Sequence, residues 1–148
     1  LLVDGEDGLR GLVGLWNQSA FKQTRVIAYR WPLNVLRGLW NLWAGLAGGV
    51  QLPPAGGSLA YRSLHSPLTE PEDVEAFAAL LNAAWNETRR QGVRALALTL
   101  ADNDPRLTEM ARWRTLPMKA HLYTVAYAPE HHPELDPTLV PLLDSGRL

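Results

Sequence analysis

Four side chains are the first candidates to handle a small molecule: Tyr61, His65, Ser66 and Tyr123. An imidazole or a phenol can pass a proton, and a serine hydroxyl can donate or accept a hydrogen bond. His65 and Tyr123 are therefore the candidates for catalysis. Lys119, His121, Tyr123, Val125 and Tyr127 alternate along "MKAHLYTVAYA" and share one face of a strand-like run. His121 and Tyr123 lining a cleft is one reading of that alternation; a half-buried pair with satisfied polar tips is the other. In "ADNDP", Asp102, Asn103 and Asp104 follow an apolar run and sit at the strand end where α/β proteins place ligands. A turn in which Asp and Asn fold back on the backbone accounts for the same residues.

A second cluster lies in "HSPLTEPEDVE", between a strand-like and a helix-like run. A strand, a tight turn and a helix N-terminus make a phosphate site when the turn leaves backbone N–H groups open. Here the turn has no glycine. Thr69 and Glu72 have the spacing of a capping box, Pro71 lacks an N–H, and Glu70, Glu72, Asp73 and Glu75 place carboxylates on the positive end of the helix dipole. Such a helix start satisfies itself and repels anions. His131, His132, Glu134 and Asp136 have metal-ligand chemistry, but adjacent histidines in an extended, proline-stiffened chain point to opposite sides. A solvated tail is the expectation there, and no metal.

The elements that must position these groups follow from periodicity. "GLRGLVGLWNQ" and "FKQTRVIAYRW" read as strands joined by a turn, with Gly11 and Gly14 marking a bulge or close backbone approach. Leu36, Leu39, Trp40, Trp43, Leu46 and Ala47 form a helical stripe ended by Gly48 and Gly49. Burial of that stripe against the sheet or a neighbouring domain is expected, and its Trp content suits an interdomain or subunit surface. "SLAYRSLHS" is a third strand. Val74, Phe77, Ala78, Leu81, Ala84, Trp85 and Thr88 define a long helix stopping at Gly92, and "VRALALTL" a strand buried on both faces. "PRLTEMARWRT" is a short helix, and "MKAHLYTVAYA" a last strand. From Pro129 the recurring prolines predict an extended tail over the body.

Composition narrows the classes. At 148 residues the chain makes one domain of ordinary size. A net charge of −1 lacks the basic field a nucleic-acid binder needs. With no Cys there are no disulfides, thiolate ligands or thiol nucleophiles, which fits a cytoplasmic protein. No run approaches the roughly 18 apolar residues of a membrane span. The opening "LLVDGEDGLRGLVGLW" starts without Met in an apolar run and reads as part of a longer polypeptide, its C-terminal part.

In layout the chain resembles the GNAT superfamily of N-acetyltransferases. "SLAYRSLHSP" resembles that family's central strand, "DVEAFAALLNAAWNETRRQGVRALALTL" its long helix and next strand, and "DPRLTEMARWRTLPMKAHLYTVAYA" its short helix and closing strand. "GLVGLWNQ…KQTRVIAY" resembles its upstream antiparallel strands; its usual first strand and opening helices are not evident ahead of Leu9. The resemblance implies an α/β fold: a mixed central sheet, a long crossover helix between two parallel strands, and helices on both faces. Residues 1–128 would be an N-terminally truncated GNAT-like domain and 129–148 a Pro-rich tail.

In that family a glycine-containing loop after the central strand holds acyl-CoA, and a Tyr after the short helix often protonates the departing thiolate. No Gln/Arg-x-x-Gly-x-Gly/Ala pattern occurs here, and "ARWRTLPMK" offers Trp113 where that Tyr would stand. If acetyl-CoA binds, Ser66, Leu68, Thr69 and Asn103 are the positions that would meet it, with His65 and Tyr123 beside the family's cleft. The resemblance thus points to a C-terminal GNAT-like domain without its own acyl-CoA loop, packing on or completing a catalytic domain that precedes it, or forming a homodimer. An active acetyl-CoA-dependent N-acetyltransferase with a non-standard loop is the alternative, and a protein-interaction module built on Trp40 and Trp43 a further one. No nucleic acid, membrane or resident cofactor is expected.

Overall fold

In "GLRGLVGLW", Gly11, Val13 and Leu15 are uncharged residues two apart and fall on one side of a strand, so that face can be buried. In the computed structural model, which describes residues 1–5, 8–20, 24–121, 136 and 138–141, this stretch is strand β2 (Gly8–Trp16). It is preceded by β1 (Leu2–Gly5) and followed by helix α1 (Leu33–Ala47), β3 (Arg62–Thr69), α2 (Val74–Arg90), the short β4 (Leu96–Ala97) and a 3-10 helix (Pro105–Arg112). The four strands lie in sequence order: β1–β2 and β2–β3 are antiparallel, and β3–β4 is parallel with α2 as the crossover. The fold is α/β with a mixed sheet. No described helix is long and apolar enough to cross a membrane.

The sheet is covered by α2. Phe77, Leu80, Leu81 and Ala84 on its inner face pack with Val13 and Leu64, and Leu15, Leu96, Leu98, Leu100, Met110 and Trp113 close around them. Three- and four-residue spacing brings the helical members of this set onto one stripe. The helix ends where Gly92 takes φ 74°, a left-handed conformation that glycine accepts without strain.

Gly11 and Gly14 do mark close approaches. A Cβ on Gly11 would lie 2.6 Å from Thr69 Cγ2, and one on Gly14 would lie 3.3 Å from the His65 Cβ and carbonyl oxygen. The expected bulge falls between them. Leu12 pairs with Leu68 and Gly14 with His65, so Ser66 and Pro67 together oppose Val13.

Several expectations change. β1 is a strand ahead of Leu9, signalled only by Leu2 and Val3 before an Asp-Gly pair. Residues 24–30 are not a sheet strand: they form one bridge, Arg25 with Ser58, because Gly56 and Pro53–Pro54 interrupt the facing segment. β3 begins at Arg62 and runs through Pro67 to Thr69, three residues beyond the expected strand end at Ser66. The "VRALALTL" strand pairs only at Leu96 and Ala97. Beyond Ser63 the bulge at Ser66–Pro67 turns β3 away, and Pro67 has no N–H to offer the ladder. The expected short helix does form, over Pro105–Arg112, and it is a 3-10 helix. Met118–His121 of the expected last strand are exposed and form no strand, and the rest of it, with Tyr123, lies outside the described residues. In the tail, Asp136 accepts hydrogen bonds from the Thr138 N–H and hydroxyl, which hold its carboxyl below the usual range.

The largest difference concerns α1. The helix forms where its periodicity predicts and ends at Gly48 with φ 72°, but its apolar stripe meets neither the sheet nor α2 as a packed face. It docks by its polar side. Asn41 Nδ2 donates to the Leu52 carbonyl at 2.9 Å, the Leu52 N–H donates to Asn41 Oδ1 at 2.7 Å, and Arg37 Nη1 donates to the same carbonyl at 3.3 Å. Ala44 is the one buried residue of α1. The expected arrangement of helices packed on both sheet faces is therefore not what the described residues show: α2 covers one face, and α1 forms no packed contact with the sheet.

Candidate functional site

The region where a ligand site was expected is the C-terminal end of β3 with the start of α2 and the loop after β4. Its centre is a buried ion pair. Arg106 Nη2 lies 2.7 Å from Asp104 Oδ2 and Arg106 Nε 2.9 Å from Asp104 Oδ1, with both side chains at or below 5% exposure. The third guanidinium nitrogen, Nη1, donates to the Pro67 carbonyl and to Thr69 Oγ1, each at 3.1 Å. The guanidinium also lies over the Phe77 ring, 5.4 Å from its centroid. Arg106 thus fills the gap that opens where β3 leaves β4, and it ties that strand end to the loop before the 3-10 helix.

The start of α2 is closed as well. Its N-cap is Asp73, whose carboxylate accepts the Ala76 N–H at 3.0 Å. The Val74 N–H donates to the Glu72 carbonyl and the Phe77 N–H to the Asp73 carbonyl. Arg10, from β2, grips the same carboxylate through Nε at 2.9 Å and Nη2 at 2.6 Å, and reaches Glu75 at 3.4 Å. The helix N-terminus therefore presents engaged donors and acidic side chains rather than an anion cradle. The expected Thr69–Glu72 capping box is not formed: Thr69 stays in β3, paired with Gly11, and its hydroxyl accepts from Arg106.

The Arg10 hydrogen bond, and after it the Ala76 N–H, holds the Asp73 carboxyl below the usual aspartate range. A carboxyl lowered on folding stabilises above its unfolded pKa and loses that contribution as pH falls through the folded value. Asp73→Asn keeps a cap but removes the charge facing Arg10. The wild type should therefore unfold at higher urea than Asp73→Asn near neutral pH. The gap should begin to shrink as pH falls below about 4, the range of an unfolded aspartate, and close only once pH has passed below the lowered folded value.

Of the residues singled out from sequence, His65 and Ser66 are brought together. Ser66 Oγ is 3.4 Å from His65 Nε2, and the His65 ring packs edge-on against Trp16 at 5.8 Å. Ser66 has φ 46°, left-handed backbone for a non-glycine residue, imposed by the bulge. The pair is half-buried. Tyr61 lies four residues back along the chain, roughly 13 Å away at strand rise. It borders a cavity of about 270 Å³ lined by Asn17, Gln18, Ser19, Ser58 and Arg62 among others, at the opposite end of β3. Thr24 donates to its hydroxyl at 3.3 Å. Leu68 is exposed, and Asn103 donates to the Leu139 carbonyl at 3.3 Å, so a tail residue meets the loop after β4. Asp102 is exposed. His131, His132 and Glu134 lie outside the described residues, among which no group of three metal-ligating side chains occurs.

Sequence reasoning missed Arg10 and Arg106, the two residues that close the site. Their partners are 63 residues away for Arg10–Asp73 and 37 for Arg106–Thr69, so no local spacing announces them. Only the "DPR" run, placing Asp104 and Arg106 together, carried a signal. Comparison with known protein families, curated proteins and solved structures finds no match to this chain.

Proposed function

We propose that this chain is a C-terminal GNAT-like domain without an acyl-CoA loop of its own, whose role is to pack on or complete a catalytic domain that precedes it in the same polypeptide. One observation carries the reading: the strand–turn–helix corner where such a fold would take a pyrophosphate is filled by its own side chains. Asp73 and Arg10 occupy the helix start, and Arg106 occupies the strand gap. A pyrophosphate there would have to displace Asp73 from the N–H of Ala76 and face Glu70, Glu72 and Glu75. The order of β3, crossover α2 and β4 supports the likeness of layout. As a cytoplasmic packing domain the chain needs no cofactor.

The rival reading is an N-acetyltransferase with a non-standard loop, and the left-handed Ser66 beside His65 favours it, since strained backbone gathers at functional sites. The two separate in an assay of coenzyme A release from acetyl-CoA with a panel of primary amines. We expect no release above the buffer rate. Turnover by the chain that falls in His65→Ala and Ser66→Ala would establish the rival.

A further inference from the structure

Helix α1 turns its apolar side to solvent. Val35, Leu36, Leu39, Leu42, Trp43 and Leu46 are between 46% and 84% exposed, and Trp31 just before the helix is 82% exposed. The six on α1 share one side of the helix, an exposed apolar stripe on the order of several hundred Å², the size that marks interaction sites and approaches the roughly 800 Å² each partner gives to a standard interface. The orientation is fixed, because Arg37 and Asn41 on the opposite side are clamped to the backbone of Leu52 and Arg94 Nη1 holds the Ala44 carbonyl. Trp43 is braced by Trp40 at 5.2 Å and by the Arg114 guanidinium at 5.9 Å from its ring.

The chemistry of the patch selects its occupant. α1 has no acidic residue and a single cation, Arg37, which faces the protein. A helix lying in a lipid interface carries basic residues along its polar flank, and this one does not. A different protein partner would normally be chosen by a ring of charges around the apolar centre, and beside this stripe stands the Arg114 guanidinium at Trp43 rather than such a ring. A second copy needs none. Leu36, Leu39, Trp43 and Leu46 have spacings of three, four and three, which read the same in both directions. An antiparallel copy therefore sets Leu36 against the other Leu46 and Leu39 against the other Trp43, as a two-fold interface requires.

We propose that two copies of this chain pair through α1, antiparallel and stripe to stripe. The pairing is independent of whether acyl-CoA binds. Sedimentation velocity of the chain tests it. The wild type should sediment as a dimer, Leu39→Glu and Leu46→Glu as monomers with unchanged helical circular dichroism, and Asn34→Glu, on the same helix but off the stripe, as a dimer. A monomeric wild type overturns the proposal, and its co-flotation with phosphatidylcholine vesicles would reassign the face to lipid. A dimer that survives Leu39→Glu and Leu46→Glu overturns it too, since the contact then lies elsewhere.

Discussion

Replacing Arg106 with alanine should destabilise the domain by about 3–5 kcal/mol, the usual cost of leaving one member of a buried ion pair without its partner. The Asp104 side chain is 1% exposed and would keep a buried charge with its main counter-ion gone. The Pro67 carbonyl and the Thr69 hydroxyl would each lose a donor at the same time. Stability of a domain this size is typically about 5–15 kcal/mol, so the loss is a large share of the whole. Removing both charges tells a different story. In Asp104→Leu/Arg106→Met the buried charges vanish together, and such replacements are often neutral or stabilising. Urea unfolding of the single and double variants should therefore show a large loss that the second substitution substantially restores. A small effect in Arg106→Ala would mean that water reaches Asp104 and that the gap between β3 and β4 is open.

Phe77→Ala should cost about 3–5 kcal/mol, the range for emptying a large aromatic site in a packed core. Phe77 is 1% exposed and stands where α2 meets Val13 and Leu64. It also forms the floor beneath the Arg106 guanidinium. The two sites should therefore be coupled: a double-mutant cycle between Phe77→Ala and Arg106→Met should give an interaction energy of order 0.5–2 kcal/mol, as touching groups do. Strict additivity would show that the ring packs the core without supporting the ion pair.

These two residues show what a sequence discloses and what it withholds. Phe77 was legible because it recurs with Leu81, Ala84 and Thr88 at helical spacing, and a helix needs a buried stripe. Gly11 and Gly14 were legible because glycine inside a strand signals close approach, and Thr69 and His65 press against them. Arg106 was not legible as the plug of the site, since its meaning comes from Pro67 and Thr69 on another element. The start of α2 shows how a local rule can admit two solutions. Thr69 with Glu72 and Asp73 with Ala76 both satisfy a helix start, and long-range contacts choose between them: the β2–β3 ladder keeps Thr69 extended while Arg10 anchors Asp73. Helix α1 shows the complementary limit. Periodicity says which residues share a face and leaves open which face meets the protein. Asn41 and Arg37, bonded to Leu52, decided it against the expected burial of Leu36, Leu39 and Trp43.

The closed corner at Asp73, Arg10 and Arg106 underlies the proposed function, and calorimetric titration of the chain with acetyl-CoA addresses it most directly. No saturable heat is expected with the wild type. None is expected with Glu72→Gln either, because Asp73 still holds the Ala76 N–H when a neighbouring charge is removed. Saturable binding by the wild-type chain, lost on substitution at Ser66 or Thr69, would overturn the closed corner and make the end of β3 a working acyl-CoA site.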